Sequence, residues 1–181
     1  MPNSFVSHLE CGLDGEHYAA DVLQSVSRAG KPLLVRYDLD AVRRALPRAA
    51  LAARPRTLWR YRELLPLPFD REPLSLGEDM TPLVDLPALA HQLGLGSLWA
   101  KDEGRLPTGS FKARGLALAV NMAQHFGVRA MAIPTNGNAG AAMAAYCVRA
   151  GIEAHCFAPA DTPEANLREM ELCGATLTRV P

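Results

Sequence analysis

The chain has 181 residues, 49% of them hydrophobic, and 19 basic residues balance 19 acidic ones. A net charge of zero offers no basic surface for a phosphate backbone, so we expect no nucleic-acid partner. No run of about 18 apolar residues occurs, and the N-terminus lacks a basic stretch followed by an apolar one, so we expect neither a membrane span nor a signal peptide. Four cysteines without a C-x-x-C pair are expected as free thiols in a cytoplasmic protein.

Residues 1–66 predict a small N-terminal extension of mixed elements. Residues 8–20 alternate apolar and turn residues, which is typical of a β-hairpin, and residues 31–39 are typical of an extended strand. A short helix is predicted over 38–46, with Asp38 or Asp40 as its N-cap.

The pattern then predicts a second helix and a connector. Residues 54–66 are typical of a helix that ends at Pro66. Residues 67–82 are rich in proline and glycine, so we predict a connector there.

From residue 83 the pattern becomes regular. A helix is predicted over 83–95 and a short strand over 97–101. The strongest helical periodicity covers 110–126, with Ser110 placed as an N-cap and Gly127 as the residue that ends the helix.

A repeated unit follows, in which a glycine ends a helix, an apolar strand comes next and a proline ends the strand. It occurs at 127–134, 151–159 and 174–181, with helical segments between the copies. Strand, helix and strand at this spacing indicate βαβ crossovers and a parallel sheet. We therefore predict an incomplete α/β domain over 83–181.

The loop at 134–140 is a candidate anion site because it follows a strand and opens a helix. Asn136 and Gly137 suit a tight turn, and Asn138 is placed to cap the helix. Free backbone N–H groups of Ala139 and Gly140, together with the positive end of the helix, would attract a carboxylate or a phenolic oxygen. The same pattern also fits a capped helix with no ligand.

Lys112 is a candidate nucleophile because it lies at the start of a predicted helix. The helix dipole disfavours a positive charge at that end, and a neutral amine attacks carbonyl groups. The preceding turn at 107–109 would orient the side chain toward the carboxyl edge of the sheet. A lysine that faces solvent is the alternative.

Two segments together resemble a known group of enzymes. The sequences "KDEGRLPTGSFKARG" (101–115) and "PTNGNAGAAMAAY" (134–146) resemble the lysine and asparagine motifs of the pyridoxal-phosphate enzymes of fold type II, with the closest resemblance to threonine synthases. Residues 81–87 and 30–39 are similar to the lead-in segment and the N-terminal extension of that group. The resemblance implies a parallel α/β fold and pyridoxal 5'-phosphate as cofactor.

The resemblance also implies roles for individual residues. Lys112 falls on the lysine that forms the Schiff base, and Asn138 falls on the residue that hydrogen-bonds the 3′-oxygen of the cofactor. A small amino-acid substrate would place its carboxylate on the residues Thr135, Asn136, Gly137 and Ala139. For threonine synthases this implies O-phosphohomoserine as substrate, with loss of phosphate and addition of water. A serine/threonine dehydratase or a β-replacing synthase would use the same two segments.

One part of the group's pattern has no counterpart in this sequence. The cofactor phosphate is held in such enzymes by a glycine-rich loop beyond the asparagine motif, whereas the glycines after residue 140 are the isolated Gly151 and Gly174. We therefore expect an N-terminal portion without the large domain, which binds the cofactor weakly and turns over little. A homodimer or a complementing C-terminal half would be its partner. The alternatives to an enzyme of this type are a non-catalytic remnant, half of a split enzyme or a bare binding module.

Other charged and metal-binding residue types predict no further site. Some relatives carry cysteine pairs that hold zinc in the extension, but only Cys11 occurs there, near His8 and His17, and a structural zinc site needs four ligands. We therefore expect no metal. Residues 101–103 are interpreted as a solvated charge cluster, with contact to the substrate as the alternative. Arg114 is interpreted as the member of an ion pair or as a solvent-facing side chain.

Overall fold

The structure is a computed structural model that describes residues 3–181, and these form two compact units. Unit 1 contains the chain up to Pro55 together with Trp59–Pro73 and Asn121–Arg129. Unit 2 contains Arg56–Leu58, Leu74–Val120 and Ala130–Pro181. The predicted boundaries near residues 66 and 82 remain predictions.

Unit 1 is built on a three-stranded antiparallel sheet with the order β2-β1-β3. Its strands are β1 (Val6–Cys11), β2 (His17–Tyr18) and β3 (Leu33–Tyr37). Leu9 on β1 lies opposite Tyr18 on β2 and opposite Val35 on β3. This confirms the predicted hairpin and the strand that follows it.

Two short helices follow in unit 1. Helix α1 (Leu39–Ala45) begins where the Asp38 carboxylate accepts a hydrogen bond from the backbone N–H of Ala41, which confirms Asp38 as the N-cap. Helix α2 (Arg48–Ala53) was not predicted.

The predicted helix over 54–66 is wrong in type, because only Leu58–Leu64 is helical and it is a 3₁₀ helix with a kink at Tyr61. The cause lies in long-range pairing. The N–H of Leu58 donates to the carbonyl of Glu78, and the N–H of Met80 donates to the carbonyl of Arg56. Residues 56–58 are thereby held extended against 78–80, so an α-helix cannot start where the local pattern places it.

Unit 2 begins with a small antiparallel ladder. Strand β4 (Leu83–Asp85) pairs with β5 (Trp99–Lys101), and helix α3 (Pro87–Gln92) connects them. The predicted helix over 83–95 is therefore too long. Its first residues are a strand, and Pro87, which suits the first turn, opens the helix.

Helix α4 (Lys112–His125) confirms the strongest helical prediction. The apolar side chains that it buries are Ala113, Ala117, Val120 and Ala123, and it also buries the polar Asn121. The helix ends at Gly127, whose φ of 70° is left-handed, and the N–H of Val128 donates to the carbonyl of Ala123.

The second half of unit 2 is a parallel sheet with the order β6-β7-β8. Its strands are β6 (Ala130–Pro134), β7 (Glu153–Pro159) and β8 (Thr176–Val180), connected by helices α5 (Asn138–Ala150) and α6 (Glu164–Leu172). The predicted βαβ repeat is confirmed. Because parallel strands end at one edge, the loops after β6 and β7 lie close together. Over residues 3–181, no helix combines the length and the apolar character needed to cross a bilayer.

Candidate active site

A cavity of about 370 Å³ lies in unit 2, where β6 ends and α4 and α5 begin. The six residues to which the resemblance assigns a role in binding the cofactor or the substrate all line this cavity. Its lining consists of Lys112, Pro134, Thr135, Asn136, Gly137, Asn138, Ala139 and Asn166. The structure therefore brings the lysine segment and the asparagine segment together.

The loop after β6 is held by the hydroxyl of Thr135. This oxygen accepts hydrogen bonds from the N–H groups of Gly137 and Gly140, both at 3.0 Å. The backbone N–H of Thr135 donates to the carbonyl of Phe157 on β7. Thr135 is buried, so this short network fixes the loop to the sheet edge.

The prediction that Asn138 caps the helix is wrong. Helix α5 begins at Asn138 itself, Gly137 occupies the cap position and the Thr135 hydroxyl replaces the cap side chain. The N–H of Gly140 is consequently taken and does not point outward. Asn138 and Ala139 lie in the first turn of the helix, where no preceding helical carbonyl is available to accept a hydrogen bond from their N–H groups. These two N–H groups therefore remain suited to binding an anion.

Gly137 adopts a backbone conformation that other residues avoid, with φ of 138° and ψ of −92°. A Cβ atom at this position would lie 1.9 Å from Nδ2 of Asn166. The Asn166 amide in turn donates to the carbonyl of Asn136 at 3.4 Å. A glycine is thus required for α6 to approach the loop this closely.

Asn166 is the cavity residue that sequence reasoning missed. It lies on α6, after the end of β7, and ligand-binding loops in parallel α/β sheets follow the carboxyl ends of strands. That rule was available from the sequence, since the repeat predicted β7.

Lys112 is the first residue of α4 and is half-buried. Its Nζ atom lies 4.7 Å from the ring centroid of Phe111, within reach of a cation–π interaction. Among the described residues that line the cavity, none is acidic, so this amine faces no carboxylate there.

The turn before Lys112 is strained and contains polar atoms without partners. Thr108 has a φ of 59°, which is uncommon for a residue with a side chain. Within residues 3–181, the buried hydroxyl oxygens of Thr108 and Ser110 have no hydrogen-bond partner. Ser110 therefore does not cap α4 through its side chain, contrary to the prediction.

The residues of the cavity fit pyridoxal phosphate. A primary amine that can condense with an aldehyde stands beside amide groups and helix N–H donors that suit the ring oxygen and a carboxylate. The volume of the cavity lies within the range of about 300–1,000 Å³ that is usual for small-molecule sites.

An ion pair fixes the first turn of α4. Arg114 donates to both oxygens of Glu103, from Nε at 2.7 Å and from a terminal nitrogen at 3.0 Å. Thr81 donates to the same carboxylate, and Lys101 donates to the carbonyl of Thr81. The predicted ion pair of Arg114 is confirmed, and Lys101 and Glu103 belong to a structural charge cluster.

This arrangement makes stability depend on pH. The hydrogen bonds from Arg114, together with that from Thr81, lower the pKa of Glu103 from 4.5 to about 2. A carboxylate with a lowered folded-state pKa stabilises the fold above pH 4.5, and that contribution is lost as the pH falls toward 2.

We expect Glu103→Gln to destabilise the chain by about 1 kcal/mol at pH 7, because the pair is bidentate but partly solvated. The difference from the wild type should shrink below pH 4.5 and vanish near pH 2. Urea unfolding across this range measures it, with the exposed Glu153→Gln as control. A difference that stays constant with pH would contradict the assignment.

Comparison with known families gives a match over most of unit 2. The family described as "Pyridoxal-phosphate dependent enzyme" matches residues 74–181. This range begins at Leu74, the first residue of the unit 2 segment Leu74–Val120, and it includes every residue of the cavity.

Among curated relatives, the chain is similar to proteins named threonine synthase. It is 36% identical over 154 residues to that of Methanosarcina acetivorans, which covers 84% of this chain and 37% of the relative. It is 35% identical over 137 residues to that of Methanocaldococcus jannaschii, which covers 76% of this chain and 34% of the relative. The chain thus spans about a third of the length of these relatives.

Two solved structures are similar to part of this chain in fold. A pyridoxal 5'-phosphate-dependent aspartate racemase is similar with a TM-score of 0.53 and 28% identity, over 55% of this chain and 32% of that one. Diaminopropionate ammonia lyase of Escherichia coli is similar in fold with a TM-score of 0.55 and 22% identity, over 59% of this chain and 34% of that one.

Proposed function

The chain belongs to the family of pyridoxal-phosphate-dependent enzymes, and on this basis we propose that it forms part of a lyase of the threonine synthase type. Its substrate would be O-phosphohomoserine, which loses phosphate and gains water to give threonine. The observation that carries the proposal is the shared cavity of Lys112 and the loop 135–139. The similarity to threonine synthases over 84% of the chain supports the choice of substrate.

Lys112 would hold the cofactor through its amine, and Asn138 would donate its side-chain amide to the ring oxygen. When bound, pyridoxal phosphate supplies an electron sink for negative charge at the α-carbon of an amino acid. The Lys112 amine would remove and return protons at the α- and β-carbons of the substrate as general base and acid.

The loop would orient the substrate by its carboxylate. The N–H groups of Asn138 and Ala139 lie at the positive end of α5, which favours an anion there. Asn136 and Gly137 line the same cavity, and Thr135 holds the loop in shape through its hydroxyl. We therefore assign Thr135 a positioning role at this subsite.

Cofactor affinity of this chain is proposed to be low. Residues 141–181 contain no glycine-rich loop, so we propose that residues outside this range supply the charge-assisted hydrogen bonds to the cofactor phosphate, each worth about 1.5–3 kcal/mol. A C-terminal half or a second copy would complete the site.

The four free cysteines suit a reducing compartment, and we propose that the protein is located in the cytoplasm.

A product assay tests the proposed substrate. The chain is saturated with cofactor and given O-phosphohomoserine, serine or threonine in parallel, with Lys112→Ala as the inactive control. We expect slow release of phosphate with an equal amount of threonine. Keto-acid formation from serine or threonine as the faster reaction would favour a dehydratase, and the absence of all products would favour a non-catalytic remnant.

A further inference from the structure

The β1–β2 hairpin of unit 1 places two histidines and a carboxylate on one face. Glu10 on β1 lies directly opposite His17 on β2. His8 precedes Glu10 by two residues, so its side chain emerges on the same face of the strand. His17 is seven residues beyond Glu10 in the sequence, but the register of the two strands brings it next to Glu10.

The potential ligand atoms of these three side chains all lie within 4.8 Å of one another. Nε2 of His8 is 3.8 Å from Oε2 of Glu10. The rings of His8 and His17 are stacked, with their centroids 3.9 Å apart. Small rotations of these side chains would bring all three groups within bonding distance of one small cation.

The hydroxyl of Ser7 lies beside the ring of His8. Its oxygen is 2.9 Å from Nδ1 of His8 and 3.1 Å from the carbonyl oxygen of Arg36. This contact occupies Nδ1, so Nε2 is the His8 nitrogen that is left for a cation. In the described part of the chain, Nε2 is shielded from solvent and has no hydrogen-bond partner.

The carboxylate of Glu10 leaves one oxygen available. Arg36 donates to Oε1, whereas Oε2 faces His8. Outer partners such as Ser7 and Arg36 commonly orient the ligands of a metal.

We propose that His8, Glu10 and His17 bind a divalent transition-metal cation of the Zn²⁺ type, with water completing the coordination. Two imidazoles and one carboxylate are a ligand set that zinc accepts, whereas Mg²⁺ and Ca²⁺ prefer oxygen ligands. This site departs from the expectation of no metal, which required four ligands in the sequence pattern of a structural zinc site. It includes no cysteine and lies in unit 1, outside the matched range 74–181.

Titration of the chelator-treated chain tests the site. Calorimetry with Zn²⁺ and visible absorbance with Co²⁺ should both show one equivalent bound. His17 is exposed, so His17→Ala should leave the fold intact and weaken binding by about tenfold or more. His91→Ala, which removes an exposed histidine from α3, should bind like the wild type.

A second variant separates ligand orientation from folding. Ser7→Ala removes the hydroxyl that contacts Nδ1 of His8 and orients the ring, and it should weaken Zn²⁺ binding by about 10–100-fold with unchanged urea unfolding. Failure of the wild type to bind would overturn the proposal, as would equal affinities of the wild type and His17→Ala.

Discussion

Replacing Lys112 by alanine is expected to abolish covalent binding of pyridoxal phosphate by this chain. The sequence contains only three lysines, Lys31, Lys101 and Lys112. Lys101 donates to the carbonyl of Thr81, and Lys31 is exposed on unit 1, whereas Lys112 lines the cavity. Among the three lysines, only Lys112 is therefore positioned beside groups that can hold the rest of the cofactor.

The absorbance of the cofactor measures this effect. At millimolar pyridoxal phosphate the wild type should shift the absorbance away from that of the free aldehyde, and Lys112→Ala should not. Lys31→Ala serves as the matched control and should behave like the wild type. An undiminished shift in Lys112→Ala would contradict the assignment, and saturation of the wild type at micromolar cofactor would contradict the proposed low affinity.

Replacing Gly137 by alanine is expected to damage both the loop and the stability of unit 2. A side chain at φ of 138° is strained, and its Cβ would overlap the amide of Asn166. Backbone strain of this kind costs about 1–3 kcal/mol. Relief of the clash must move Asn166 or the loop, so we also expect weaker binding of the cofactor.

Urea unfolding and the cofactor titration measure the two effects of Gly137→Ala. The control is Gly96→Ala, because a Cβ at Gly96 meets nothing within 4 Å. We expect Gly96→Ala to change the free energy of unfolding by less than about 0.5 kcal/mol. Equal stability of the two variants would show that the loop tolerates a side chain and would contradict the described geometry.

Sequence periodicity predicted the elements whose hydrophobic pattern agrees with their place in the fold. The repeat of glycine, apolar strand and proline gave β6, β7 and β8, and the stripe over 110–126 gave α4. In these segments, hydrophobic spacing and helix-ending glycines agree with the fold. The loops that carry the candidate site follow from the same repeat.

Long-range pairing decided the segments that the sequence misjudged. Residues 56–58 pair with 78–80, and residues 83–85 pair with β5, so both leave the helical pattern. Local propensity is a weak prior where a strand partner is available. Such partners are not visible in a single sequence.

Side-chain placement around the cavity was only partly predictable. The sequence identified Lys112 and the loop, but placed the capping group at Asn138, whereas the Thr135 hydroxyl takes that role from before the turn. The grouping of His8 with His17 depends on the strand register, which composition does not reveal.

The central claim is that the Lys112 amine and the loop 135–139 form one cofactor site. Reduction with borohydride at millimolar pyridoxal phosphate, followed by peptide mass mapping, tests this most directly. We predict that the added mass lies on the peptide that contains Lys112, and that Asn138→Ala lowers its yield. Equal labelling of Lys31 and Lys101, or a label that leaves Lys112 unmodified, would contradict the claim.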